Sequence, residues 1–186
     1  MATVVVLNGT SSSGKTTIAK AFQEIAGSVY LNFSIDSILY ALPAGALECI
    51  RSGDPIPGIA FQELVAAYYA CVRELASRGN DLVIDNAITA RYQAKHLVEA
   101  LDGQDVLMVF VGCSESVLRE REIARGDRRI GLAADQLAGI ERWLQYDLRI
   151  DTSVTSPAEG AANIAAALTA AHDAFERTTS ALRGNI

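Results

Sequence analysis

Short apolar runs alternate with longer amphipathic segments along most of the chain. The first run, residues 3–7 (TVVVL), is rich in β-branched side chains and is followed by Asn8 and Gly9, which is typical of a fully buried strand in a parallel sheet. Over residues 15–26 the apolar positions recur with helical spacing, and Gly27 supplies a C-terminal stop. The chain is therefore predicted to begin with a strand, a glycine-containing turn and a helix.

The same alternation predicts four further strands and several helices. The strands are expected at residues 28–33, 81–84, 106–111 and 148–150. Helices are expected over residues 61–78, 91–101 and 137–146, with one alanine-rich closing helix over residues 157–182. Residues 43–58 contain three Pro and three Gly, so this segment is predicted to be loop with only broken helix.

The order of these elements predicts the architecture. Five strands alternating with helices favour an α/β fold in three layers (α/β/α), with a five-stranded parallel sheet covered by helices on both faces. At roughly 100 to 200 residues per domain, 186 residues predict a single domain over residues 1–186. A helix that starts near residue 114 is interrupted by Gly126 and Gly131, so we expect a helical lid at about residues 114–134.

The balance of charge limits the kinds of partner. Sixteen Lys and Arg stand against 22 Asp and Glu, a formal net charge of −6, so an extended surface for nucleic acid or an anionic membrane is not expected. The N-terminus lacks the basic start of a signal peptide, and no uncharged apolar run approaches the roughly 20 residues that cross a bilayer. We therefore expect a cytoplasmic protein without a membrane or nucleic-acid partner. A homo-oligomer is compatible with the sequence but is not indicated by it.

The turn after the first strand carries a phosphate-binding motif. It reads Gly9, Thr10, Ser11, Ser12, Ser13, Gly14, Lys15, Thr16 and fits G-x-x-x-x-G-K-[ST] between a strand and a helix. The glycines let backbone N–H groups point at phosphate oxygens, and the helix N-terminus adds about half a positive charge. We expect these residues and Thr17 to bind a nucleoside triphosphate, with Lys15 stabilising the transferring phosphoryl group and Thr16 ligating Mg²⁺. The alternative is a Gly/Ser turn that binds nothing.

Other features indicate how the triphosphate is used. A GTP-driven switch usually carries an N-K-x-D segment, which this chain lacks, since its Lys residues are at positions 15, 20 and 95. A mechanical ATPase needs output or oligomer-contacting domains, for which 186 residues leave no room. A small-molecule kinase that uses ATP is the favoured class, and the expected fold is that of a P-loop NTPase.

Two aspartates follow strands whose carboxyl ends should meet the P-loop. Asp85 closes the run LVID and is expected to hold Mg²⁺ with Thr16, unless it caps a helix that starts near Ala87. Asp36 follows the second strand and is the candidate base for an acceptor hydroxyl. The alternative is that Asp36, like Ser34, only caps the following helix.

Positive charge is concentrated after the fourth strand. Five of the 13 arginines lie there, namely Arg119, Arg121, Arg125, Arg128 and Arg129. A closing lid would bring guanidinium groups onto the phosphates, where they stabilise negative charge. The alternative for each arginine is a surface ion pair with Glu120, Glu122 or Asp127.

Four stretches, LNGTSSSGKT, IDSILYALP, REIARGDR and YDLRIDTS, in this order and roughly this spacing, resemble the chloramphenicol phosphotransferase family of P-loop kinases. The resemblance extends from residue 5 to about residue 152. It implies ATP-dependent transfer of the γ-phosphate to a hydroxyl of a small, often antibiotic-like molecule.

The resemblance also implies roles for particular residues. Asp36 matches the family's base position, and Arg125 and Arg128 match its lid arginines, which act in catalysis. Arg121 matches a third basic position, expected to contact the nucleotide. The segment 152–157 is expected to border the adenine.

The chain departs from the family pattern in two places. Asn86 stands where the family usually carries a second acidic residue after the aspartate of the third strand, and residues 44–60 do not resemble the family's. Both places are expected near the acceptor. A kinase of another metabolite, such as a sugar, a shikimate-like alcohol or a nucleotide-sugar, therefore stays open as an alternative. So does a nucleotide-dependent binding or regulatory protein without acceptor chemistry.

Overall fold

Five parallel strands form one sheet in the order β2-β3-β1-β4-β5 within residues 1–125 and 130–184, which a computed structural model of the chain describes. The strands are β1 Thr3–Asn8, β2 Tyr30–Asn32, β3 Asp81–Asn86, β4 Asp105–Gly112 and β5 Leu148–Asp151. The predicted α/β fold with a five-stranded parallel sheet is confirmed.

Helices follow the strands in alternation. Those in the described residues are α1 Lys15–Ile25, α2 Ile35–Leu39, α3 Ala44–Ser52, α4 Phe61–Ser77, α5 Arg91–Ala100, α6 Glu115–Arg125, α7 Leu132–Leu137, α8 Pro157–Ala167 and α9 Ala174–Arg183. None of them is long and apolar enough to span a membrane.

β1 is the central strand and lies inside the protein. Its residues 4–7 are fully buried, as expected for a β-branched run in a parallel sheet that is covered on both faces. Leu7 pairs with Asp85 of β3 on one side and with Val109 of β4 on the other. The strand order reverses at β1, and ligands of open α/β sheets bind at the carboxyl ends of strands at such a reversal.

Helices pack on both faces of the sheet and bury a core on each. On one face, Phe22 of α1 packs with Ile164 of α8. On the other, Tyr68 of α4, Leu97 of α5 and Phe175 of α9 belong to one buried apolar cluster. The two cores hold the strands in place, so the carboxyl edge of the sheet is a rigid base for side chains that emerge from it.

Residues 43–58 contain more regular structure than predicted. α3 is a continuous helix of nine residues, so the expectation of only broken helix is wrong. Pro43 is the residue before the helix, where its missing N–H costs no hydrogen bond. The helix ends at Gly53, which has a φ of 82°. Pro43 and Gly53 therefore mark the ends of a helix instead of interrupting it.

The helix predicted over residues 137–146 is also wrong. α7 ends at Leu137 and turns follow it. A Cβ on Gly139 would lie 2.8 Å from the carbonyl oxygen of Thr89, and the indole N–H of Trp143 donates to that oxygen at 3.1 Å. These contacts to a distant loop hold the segment in a non-helical path that periodicity alone does not show.

The predicted closing helix over residues 157–182 is two helices, α8 and α9. The N-terminus of α9 is held by Asp147, whose Oδ1 accepts the N–H groups of Asp173 and Ala174 at 3.0 and 2.9 Å. A carboxylate at a helix N-terminus is favourable. Because Asp147 is far from α9 in sequence, the alanine-rich pattern did not reveal the break.

The predicted lid segment contains α6 and α7; residues 126–129 between them lie outside the described ranges. Glu122 of α6 is buried, and its carboxylate accepts the N–H groups of Gly131 and Ala133 at 3.0 and 2.7 Å. Glu122 thus caps α7 from the neighbouring helix. The two helices are therefore joined as one unit.

Candidate active site

A cavity of about 1060 Å³ opens at the carboxyl edge of the sheet. Ligand pockets usually measure roughly 300–1,000 Å³, so the cavity has room for a nucleotide and a second small molecule. The predicted site residues that line it are Ser11, Ser12, Gly14, Lys15, Thr16, Thr17, Asp36, Asp85, Arg121 and Arg125. Behind this lining, Gly9, Thr10 and Ser13 are buried.

The P-loop, residues 9–16, curls tightly between β1 and α1. A Cβ on Gly9 would lie 2.0 Å from the carbonyl oxygen of Val111 in β4, so only glycine fits there. Gly14, the residue before α1, has a φ of 95°, and Ser12 has a φ of 62°, which is uncommon for a residue with a side chain. The loop therefore takes a backbone conformation that depends on glycine at positions 9 and 14.

Lys15 and Thr16 both contact the end of β3. Lys15 Nζ donates to the carbonyl oxygen of Thr10 at 2.8 Å and lies 3.6 Å from Asp85 Oδ1. Thr16 Oγ1 donates to Asp85 Oδ2 at 2.5 Å. α5 begins only at Arg91, so Asp85 does not cap a helix near Ala87. Asp85 instead stands beside the P-loop.

The P-loop fits a phosphate chain with a divalent cation. The hydroxyls of Ser12 and Ser13 are buried without a hydrogen-bond partner in the described residues, an arrangement that costs about 1–3 kcal/mol per group. A phosphate oxygen in the cavity would satisfy the hydroxyl of Ser12, which lines it, whereas Ser13 lies behind the lining. The oxygens of Thr16 and Asp85 are hard ligands of the kind Mg²⁺ takes alongside phosphates. In residues 1–125 and 130–184 no cluster of three His, Cys, Asp or Glu could hold a metal.

Arg121 joins α6 to the segment after β5. Its guanidinium donates to Thr152 Oγ1 at 2.9 Å and to the Thr152 carbonyl oxygen at 3.0 Å. Thr152 Oγ1 in turn donates to the carbonyl oxygen of Ser13 at 2.8 Å. The segment 152–157, expected to border the adenine, lines the same cavity. These contacts tie Arg121 and the P-loop to one threonine.

The other arginines of the cluster differ in position. Arg125 is exposed at the end of α6 and lines the cavity, whereas Arg119 is exposed and is not part of the lining. Arg128 and Arg129 lie outside the described residues, so their predicted contacts are not seen. Both carboxylate oxygens of Glu122 accept backbone N–H groups, and the alternative of an ion pair between Glu122 and an arginine stays a prediction.

Asp36 lies in the first turn of α2 and lines the cavity with Lys15 and Asp85. Ser34, not Asp36, precedes the helix, and its side chain makes no capping hydrogen bond. A carboxylate in a first turn is favoured by the helix dipole. The fold thus brings the candidate base into the cavity that holds the P-loop.

Tyr68, Tyr69 and Asn86 form a buried polar cluster in the wall of this cavity. Asn86 Nδ2 donates to the hydroxyl oxygens of Tyr68 and Tyr69 at 3.3 and 3.2 Å. The hydroxyl of Tyr68 donates to the carbonyl oxygen of Phe33 at 2.8 Å. Burial raises the pKa of both phenols, so they stay neutral and do not serve as bases.

Gln136 of α7 is a site residue that sequence reasoning missed. Its Oε1 accepts the N–H of Ser11 in the P-loop at 2.6 Å, and its side chain lines the cavity. The chain just after α7 is held at the same edge, because Asn8 Nδ2 donates to the carbonyl oxygen of Ile140 at 2.8 Å. A single glutamine carries no motif, so no signal in the sequence pointed to it.

Comparison with known proteins identifies relatives along most of the chain. A sequence model of the family described as chloramphenicol phosphotransferase-like protein matches residues 2–169. A protein of Mycobacterium tuberculosis H37Rv, provisionally named an O-phosphotransferase, is 28% identical over 170 residues. The match covers 82% of this chain and 76% of the relative.

Solved structures of kinases have a similar fold. A sugar kinase from Janibacter sp. HTCC2649 has a TM-score of 0.71 and 21% identity, covering 92% of this chain and all of the other. The Mycobacterium tuberculosis APS kinase, solved with AMPPNP and APS, has a TM-score of 0.64 and 17% identity, covering 91% of this chain and 98% of the other. The likeness confirms the predicted P-loop kinase fold.

Proposed function

The chain belongs to the chloramphenicol phosphotransferase-like family, and from this premise we propose that it is an ATP-dependent O-phosphotransferase. It moves the γ-phosphate of ATP to a hydroxyl of a small, antibiotic-like molecule in the cytoplasm. The observation that carries the proposal is that one cavity is lined by the P-loop, by Asp85 and by Asp36. A kinase needs a phosphate cradle, a metal ligand and a group that accepts the acceptor's proton, and these three provide them.

The P-loop side of the cavity binds the nucleotide. Backbone N–H groups of the loop and the hydroxyl of Ser12 donate to phosphate oxygens, and Lys15 contributes the positive charge. Thr16 and Asp85 would hold Mg²⁺, which neutralises charge on the β- and γ-phosphates. Phosphate binding is favourable for the protein, because it satisfies the hydroxyl of Ser12, which otherwise lacks a partner in the described residues.

Asp36 is placed to act on the acceptor. Its carboxylate accepts the proton of the acceptor hydroxyl as the oxygen forms a bond to the γ-phosphorus. The bond between that phosphorus and the bridging oxygen breaks, and ADP leaves with the electron pair. Arg125 at the cavity wall, with Arg128 from the lid, stabilises the charge of the transferring group. Lid closure excludes water, which would otherwise accept the phosphoryl group.

The acceptor side of the cavity favours a neutral molecule with an apolar body. It is lined largely by the apolar side chains of Ile35, Leu39, Phe61, Val65 and Ile88. Its polar groups include the neutral cluster of Tyr68, Tyr69 and Asn86. The cations in the described lining are Lys15, Arg121 and Arg125, which belong to the P-loop and α6. A phosphorylated antibiotic hydroxyl is one outcome of this chemistry and would confer resistance.

The experiment is an acceptor screen read in two ways. ADP release is coupled to a detection system with ATP, Mg²⁺ and a panel of hydroxylated antibiotics, sugars and shikimate-like alcohols, and mass spectrometry seeks a gain of one phosphate. For an accepted molecule, Asp36→Asn lowers kcat roughly 10²- to 10⁴-fold. Asp102→Asn, at an exposed carboxylate, is the matched control and keeps wild-type turnover.

Three outcomes separate the readings. Asp36→Asn with wild-type kcat shows that the base is another group. Phosphorylation of sugars or anionic alcohols alone shows that the acceptor class is wrong while the reaction class stands. Tight ATP binding without any phosphorylated product across the panel favours a nucleotide-dependent binding or regulatory protein.

A further inference from the structure

The carboxamide of Gln136 contacts the P-loop with one end and leaves the other end available. Oε1 accepts the N–H of Ser11 at 2.6 Å, and because a backbone N–H needs an acceptor, this contact identifies the oxygen end of the side chain. Nε2 is bonded to the same carbon and so lies beside the loop. Within the described residues Nε2 has no hydrogen-bond acceptor. Gln136 lines the nucleotide cavity, where a ligand can supply one.

α7, which carries Gln136, is anchored at both of its ends. At its N-terminus the buried carboxylate of Glu122 accepts the N–H groups of Gly131 and Ala133. After its C-terminus the carbonyl oxygen of Ile140 accepts a hydrogen bond from Asn8, the last residue of β1. The contact between Gln136 and Ser11 is therefore part of a supported arrangement and not a passing side-chain contact.

The geometry indicates which phosphate Gln136 would meet. Lys15 and Thr16 begin α1 and approach the phosphates from the helix N-terminus. The ammonium of Lys15 reaches back to the carbonyl oxygen of Thr10, so it and the carboxamide of Gln136 contact neighbouring residues of the loop, Thr10 and Ser11, at the sheet edge where β1 ends. Asp36 lines the cavity at that edge as well, and the terminal phosphoryl group must face the acceptor there. Because the lysine of a P-loop reaches the β- and γ-phosphates, we expect the carboxamide of Gln136 to lie near that end of the phosphate chain.

We infer that Gln136 Nε2 donates a hydrogen bond to the γ-phosphoryl group of ATP while Oε1 stays on Ser11, so that Gln136 distinguishes ATP from ADP. The inference rests on the proposed use of ATP. The opposite role is a plug, in which Gln136 occupies a backbone N–H that a phosphate would otherwise take. The two roles predict opposite changes in affinity.

Gln136→Glu tests the acceptor end and the donor end of the side chain separately. The glutamate keeps an oxygen that accepts from Ser11 but loses the donor and adds negative charge near the phosphate. Titration calorimetry on the full chain with Mg²⁺ compares the non-hydrolysable analogue AMPPNP with ADP. We expect AMPPNP affinity to fall roughly 10- to 100-fold in Gln136→Glu and in Gln136→Ala, and ADP affinity to change less than about threefold.

Gln104→Glu is the matched control. Gln104 Oε1 also accepts a backbone N–H, that of Ala2 at 2.8 Å, but next to the amino end of β1, opposite the cavity. This variant should bind both nucleotides as the wild type does. The thermal midpoint of Gln136→Glu without nucleotide should match that of the wild type, because the contact to Ser11 is kept.

Each other result overturns the inference. Equal weakening of AMPPNP and ADP means that Gln136 only shapes the P-loop, and unchanged affinity means that it contacts neither nucleotide. Tighter AMPPNP binding by Gln136→Ala establishes the plug. Failure of the wild type to bind AMPPNP would instead contradict the proposed function, so the two failures are distinguishable.

Discussion

Gly9 is the position where a single methyl group should damage both fold and site. A Cβ there would lie 2.0 Å from the carbonyl oxygen of Val111 and 2.8 Å from Ser13 Oγ, whereas ordinary contacts are 3.4–4 Å. The oxygen of Val111 belongs to the backbone of β4. It can move away only if β4 separates from β1 at the edge that carries the P-loop.

The size of the effect follows from that overlap. Overpacking a well-packed interior costs about 1–3 kcal/mol and occasionally more. Because Gly9→Ala collides with backbone and not with a flexible side chain, we expect about 3 kcal/mol or more. At roughly 2–4 °C per kcal/mol for a chain of this size, the thermal midpoint should fall by at least about 6 °C. Gly27→Ala is the control, since nothing lies within 4 Å of its Cβ, and should stay within about 0.5 kcal/mol of wild type.

Urea unfolding measures the difference. The chain has one tryptophan, Trp143, which is half-buried and bonded to the Thr89 carbonyl, so its fluorescence reports the fold near the cavity. Nucleotide affinity is measured in parallel and should fall together with stability in Gly9→Ala. If Gly9→Ala unfolds at the same urea concentration as Gly27→Ala, with the same slope, the close approach of β1 to β4 is wrong.

Three further predictions concern the surroundings of the site and the opposite edge of the sheet. Thr152→Val removes the hydroxyl that accepts a hydrogen bond from the Arg121 guanidinium. Calorimetry should show that this variant binds ATP roughly tenfold more weakly. Unchanged affinity would contradict a role of this contact in nucleotide binding. Asn86→Asp puts a carboxylate at a position 5% exposed and should lower unfolding free energy by about 1–3 kcal/mol at pH 7, and less at pH 4, where it is protonated. Burial lowers the pKa of His172, but a backbone carbonyl and Asp105 outweigh it and raise the pKa above its usual value. The stability advantage of wild type over His172→Gln should therefore be full below about pH 6.5 and disappear as pH rises through the raised pKa; urea midpoints with the same pH dependence in both proteins would refute this.

The nucleotide half of the site could be predicted because its chemistry is local in sequence. Residues 9–16 are consecutive, and their glycines, lysine and threonine have spacing that a phosphate cradle requires. Asp36 and Asp85 needed one more step, the rule that parallel strands end at the same edge of a sheet. That rule placed both in the cavity, although their roles stay predictions.

The remaining parts depend on contacts between distant segments. Gln136 meets Ser11 across 125 positions, and Asp147 starts α9 from 27 residues before Ala174. No periodicity or motif encodes such pairs, because each partner alone is an ordinary polar residue. The sequence therefore predicts elements better than the turns between them, and the P-loop better than the acceptor side.

Asn86 stands where the family usually has an acidic residue, and the pair Tyr68 and Tyr69 beside it gives a physical reason for the amide. The single hydroxyl hydrogen of Tyr68 is used by the carbonyl oxygen of Phe33, so its oxygen can only accept a hydrogen bond from the residue at position 86. The amide of Asn86 donates both to that oxygen and to Tyr69, whereas an ionised carboxylate has no hydrogen to give and would face the lone pairs of Tyr68. An amide at position 86 therefore goes with a buried tyrosine pair, and it removes one negative charge from the acceptor side. Asp36 and Asp85 are then the carboxylates in the described lining of the cavity, which agrees with the proposed neutral acceptor and single base.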